Sequence, residues 1–148
     1  MSIRNRLPLL ASLIIAPVFR GSASAQPNLY EPGQYITQQR VRKVHDTVQK
    51  ILGLEKSPIS MADARRIVTT GTLSGLAQRC ELPWEDQLYL PMMAHYRQDR
   101  KLSEPQMRLV GLMHGVQQAT VLKEVPDNSC PQDARDRLAK KLRGDEKS

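Results

Sequence analysis

The sequence predicts an all-α protein: an irregular bundle of about five helices with one disulfide, following a cleaved signal peptide. Three observations carry this. Aromatic residues make up only 4% of the chain, while Leu, Val, Met, Gln and Arg are frequent, which favours helix over strand. Apolar residues recur three or four positions apart in segments bounded by Pro and Gly. The only two cysteines, Cys80 and Cys130, both lie behind a segment laid out like an export signal.

That segment decides which residues belong to the fold. Arg4 and Arg6 form a positive start, and Leu7 to Phe19 is apolar apart from Ser12. Ala23-Ser24-Ala25 then has the small side chains a signal peptidase accepts, so cleavage is expected between Ala25 and Gln26. The apolar run is well short of the roughly 20 residues a membrane span needs. The expected location is the bacterial periplasm or the extracellular space, with no stable membrane anchor after cleavage. Removing residues 1–25 leaves 123 of the 148 residues, enough for one domain with one core. It takes away three arginines (Arg4, Arg6, Arg20) and no acid, so the formal charge falls from +7 to +4. That balance suits ordinary solubility and points away from nucleic acid.

Residues 26–34 hold two prolines and a glycine and read as an extended N-terminal arm. A single helical domain is expected over 35–143, with a disordered tail at 144–148. The first helix is placed at about 35–52, with a stripe of Ile36, Val41, Val44, Val48, Ile51 and Leu52, and with Gly53 as its stop. Its other face carries Gln38, Arg42, Lys43, Asp46 and Lys50, a pattern that suits a solvated surface. The second helix covers about 61–80, capped by Ser60 with Asp63 in its first turn. Thr69 to Thr72 and the glycines Gly71 and Gly75 weaken this helix, so a bend or break is expected there, and the glycines suit close helix packing in preference to a ligand contact.

The third helix is placed at about 83–100, with a ridge of Trp84, Leu88, Met92 and Tyr96. Pro91 is expected to kink it, because the ring collides with the carbonyl of Gln87. Ser103, Pro105 and Gln106 form a capping-box start for the fourth helix, which ends near Val125. This helix is the most apolar and is assigned to the centre of the core. The last helix, about 131–142, follows Pro131 and stops before Gly144.

Helices three and four are joined by a short turn, so they are expected to lie antiparallel. Cys80 precedes the outward leg and Cys130 follows the return leg, which brings both to one end of the hairpin. A Cys80–Cys130 disulfide is therefore expected in an oxidising compartment. Closing a loop of this length contributes about 4 kcal/mol in the chain-entropy model.

Catalytic signatures are missing from the sequence. It has no Gly-rich phosphate loop, H-E-x-x-H, EF-hand loop or G-x-S-x-G, and it indicates no cofactor and no catalytic residue. Glu85 and Asp86 are adjacent, so on a helix they point about 100° apart and do not flank one bond. The expected function is an exported small helical binding or interaction protein, chaperone-, inhibitor- or accessory-like. Its expected partner is another periplasmic protein or peptide. Leu29, Tyr30 and Trp84 are candidate partner contacts, and the Met92–Met93 and Met107–Met113 groups are either core filling or an adaptable groove. The alternative is a metal-binding protein or enzyme using His95 and His114, which the hairpin register places roughly one turn apart.

Overall fold

The computed structural model describes residues 28–127 and 130–144. The expected signal peptide at 1–25 and the tail residues 145–148 lie outside them. Among the described residues all regular structure is helical. The order is a 3-10 turn (Pro32–Tyr35), α1 (Gln38–Ile51), α2 (Met61–Arg79), a composite α3, α4 (Glu104–Glu124) and α5 (Gln132–Arg143). No helix of the described residues is long and apolar enough to cross a membrane.

Residues 28–35 do not form the expected extended arm. They make a turn and the 3-10 turn, tied by Tyr35 Oη donating to Leu29 O at 2.9 Å. Tyr30 and Tyr35 are buried against the C-terminal ends of α2 and α4 and against α5. Two aromatic rings on a short segment bury more apolar surface by folding back than by extending into water.

α1 starts three residues later than the periodicity suggested, because Thr37 caps it by accepting from Arg40 N–H at 3.2 Å. It ends as expected at Gly53, whose φ of 63° lets Leu54 N–H return to Gln49 O. Val41, Val44 and Val48 are buried, but Ile51 is 63% exposed. Ile51 fits the stripe by spacing, yet the chain turns away at Gly53 before any element covers it.

α2 runs unbroken through Thr69–Gly75, where a bend was one expectation. The glycines serve packing instead. A Cβ on Gly71 would lie 2.7 Å from His114 O, and one on Gly75 would lie 2.8 Å from Val121 Cβ and 3.0 Å from Gln118 O. The α2 and α4 backbones therefore approach more closely than any side chain would permit. This pair makes the most extensive helix contact in the molecule, and α1 lies across both. α2 ends with Glu81 at φ 53° and Leu82 N–H bonding back to Ala77 O at 2.9 Å.

α3 combines two π turns, Glu85–Tyr89 and His95–Asp99, around the α-helical Leu90–Ala94. The first π turn ends just ahead of Pro91, and its wider ring gives the proline room that an α turn would deny. The proline is thus met by local unwinding inside a continuing helix. The α3–α4 register matches the hairpin reading: Gly111 faces Tyr89 and Met93, and Tyr89 packs on His114 with ring centroids 4.9 Å apart.

The core has two apolar parts. One joins α1, the first half of α2, α3 and the first half of α4; the other joins the 3-10 turn, the ends of α2 and α4, and α5. Along both α2 and α4 a buried polar layer falls between them: Thr72, Ser74, His114 and Gln117. The Cys80–Cys130 bond, with Cα atoms 5.2 Å apart, closes the second part. It ties the end of α2 to the segment before α5.

Candidate functional site: the exposed ridge of α1 and its two grooves

α1 buries one stripe and leaves Gln38, Gln39, Arg42, Lys43 and Asp46 exposed. A groove runs along each side of this ridge, where the α1 side chains flanking its buried Val41, Val44 and Val48 face α4 on one side and α2 on the other. The groove against α4 has a volume of about 430 Å3 and is lined by Thr37, Arg40, Lys43, Thr47, Thr120 and Glu124, with Val44 and Val116 among its apolar surfaces. The groove against α2 is about 370 Å3 and is lined by Gln38, Val41, Arg42, Met61, Ala62 and Arg65.

The α1–α4 groove is polar and partly self-paired. Arg40 reaches across it to Glu124 at 3.0 Å while its guanidinium lies 5.6 Å from the Tyr35 ring centroid. Burial is the main cause that raises the Tyr35 pKa above its usual value, and the Glu124 charge adds to it. At the back of the groove, the buried Gln117 amide donates to Tyr35 O and to Thr72 Oγ1. Two buried atoms of groove-lining residues, Arg40 Nη1 and Gln117 Oε1, have no hydrogen-bond partner among the described residues. One is a donor and the other an acceptor. Leaving such atoms unpaired costs about 1–3 kcal/mol each.

The α1–α2 groove differs in charge. Arg42 and Arg65 are exposed and form no ion pair with any described residue, and no acid lines the groove. Met61 contributes an apolar side chain that is 44% exposed.

The two candidate histidines are held by different partners. His95 is exposed and its Nδ1 lies 2.8 Å from Asp99 Oδ2. His114 is 2% exposed, 2.9 Å from Ser74 Oγ through Nε2, and stacked on Trp84 with centroids 6.2 Å apart. Burial pushes the His114 pKa down to about 4. Among the described residues no group of three or more His, Cys, Asp or Glu side chains is placed to hold a metal ion. Glu85 and Asp86 are exposed in the first turn of α3.

Of the candidate partner contacts, Tyr30 is buried, and Leu29 and Trp84 are partly buried against the protein itself. Met92, Met107 and Met113 fill the core, with Met93 packed against them. The groove residues Arg40, Thr47, Arg65, Thr120 and Glu124 carried no motif that sequence reasoning could find. One available signal was Gln117, an amide at a core-facing position of the most apolar helix. Comparison with protein-family models, with curated proteins and with solved structures finds no match.

Proposed function

We propose that this is an exported binding protein of the periplasm or extracellular space, acting on another protein or peptide without catalysis, and that the α1 ridge is its working surface. The observation that carries the reading is the α1–α4 groove, whose residues keep a buried donor and a buried acceptor without a partner among the described residues. Native proteins pair almost all such atoms with protein or water, so two left over beside an open groove are groups for a ligand to pair, whereas the third, Arg79 Nε, lines neither groove. Both atoms are closed to solvent while Arg40 holds Glu124. A ligand that draws Arg40 away from Glu124 gains access to them and recovers their cost. Export is supported by the signal-like N-terminus together with the disulfide.

The test is a fragment screen read by backbone amide shifts in NMR. Shifts confined to Thr37–Thr47 and Val116–Glu124, and abolished by filling the groove with Thr120→Trp, support the reading. A screen in which no compound perturbs these residues overturns it.

A further inference from the structure

The α1–α2 groove carries positive charge that no described residue neutralises. Arg42 and Arg65 stand on two different helices and converge on one groove, without an ion pair among the described residues. The N-terminal turn of α1 also opens on it at Gln38, and that turn contains no acid to offset the positive end of the helix dipole. Between the arginines the lining is apolar: Val41, Ala62 and the exposed Met61. A large exposed methionine among cations is a poor solubility device but a serviceable contact for an aliphatic side chain.

The geometry points to a docking site for an acidic protein segment, in which carboxylates flanking an aliphatic residue pair with Arg42 and Arg65 while that residue packs on Met61. This rests on the binding reading above and adds the chemistry of the partner. The shape argues for this occupant over other polyanions. A bilayer surface is too flat to fill a groove between two helices, and no aromatic ring lines it for stacking nucleic-acid bases. Arginine on both walls suits carboxylates, which it can grip with two parallel hydrogen bonds.

The experiment is a fluorescence-anisotropy titration of the purified protein with a labelled peptide of alternating Glu and Leu. The same peptide with Gln for Glu, a short DNA duplex and vesicles containing phosphatidylglycerol are the comparison probes. The acidic peptide is expected to bind with a Kd below about 1 mM, with affinity falling as salt rises. Arg42→Glu and Arg65→Glu are each expected to weaken it by about tenfold or more. Both side chains are exposed, so circular dichroism of the variants should match the wild type. The double reversal should instead bind a Lys and Leu peptide, a gain that a merely damaged protein does not show. The inference is overturned if the Gln peptide binds as well as the Glu peptide, if the reversals change nothing, or if DNA or vesicles bind more tightly. If the acidic peptide fails while fragments still occupy the α1–α4 groove, the binding reading stands and only the acidic partner is lost.

Discussion

Individual residues show how far tertiary partners reshape local preferences. Asp63 is a first-turn acid by sequence, but it is 3% exposed. Burial alone would raise its pKa. Hydrogen bonds from Ser60 and Arg100, with the guanidinium charge, outweigh that and hold it below the usual value. Arg100 supplies a two-pronged grip at 3.0 and 3.2 Å from the far end of α3. Arg100→Ala should therefore destabilise the protein by about 2 kcal/mol, measured by urea unfolding at neutral pH. His114 gives a pH dependence of opposite origin. Its folded pKa is about 4, below the ordinary value of 6.5. Between those values the unfolded chain binds a proton that the native protein refuses. Stability from this group is thus complete above pH 6.5 and declines as pH falls to about 4, by up to roughly 3 kcal/mol. Unfolding free energies across that range should show a shallower decline for His114→Gln, which keeps a hydrogen-bonding partner for Ser74. An equal slope in the variant would place the acid sensitivity elsewhere.

At the scale of elements, helix boundaries were legible within a few residues because caps and stops are local. Ser60, Gly53 and the Ser103–Gln106 pair all act where the spacing placed them, with Gln106 Oε1 accepting from Ser103 N–H at 2.8 Å. By sequence Gly71 and Gly75 suit a bend, a close helix contact or a ligand contact, since each use needs the same residue. Only the position of α4 selects packing. Gly75→Ala gains up to about 1 kcal/mol of helix propensity, but its methyl would press on the Gln118 carbonyl and Val121. Overpacking of this kind costs about 1–3 kcal/mol, so a net loss of stability is expected in thermal melts. Ile51 marks the converse limit: its spacing matches a buried stripe, but burial needs a neighbour, and no described element covers it.

For the whole molecule, the disulfide joins two ends that the hairpin already brings together. Cys80 closes α2 and Cys130 precedes α5, so the bond holds α5 and the 3-10 turn against the second part of the core. Replacing both cysteines by serine should lower the unfolding free energy by about 4 kcal/mol. The loss should appear first as faster amide exchange in α5, which is short and makes few contacts elsewhere. Exchange that rises uniformly over all five helices would instead mean that the two core parts unfold as one.

The sequence by itself determined the helical class, the five helices, the antiparallel hairpin and the cysteine pairing. Those features follow from periodicity, caps and loop length, which act between residues close along the chain. It also showed Arg42, Lys43 and Arg65 as charged positions on helix surfaces. Only the tertiary structure decided which cations share a groove, which histidines are buried (His45 and His114) and which is exposed (His95), and which polar atoms among the described residues stay unpaired. Grooves are spaces between helices, and their walls come from residues whose separation in sequence carries no periodic signal. Arg40 meets Glu124 across 84 positions, and that distance is closed by the packing of valines on α1 against α2 and α4, with no local preference to announce it.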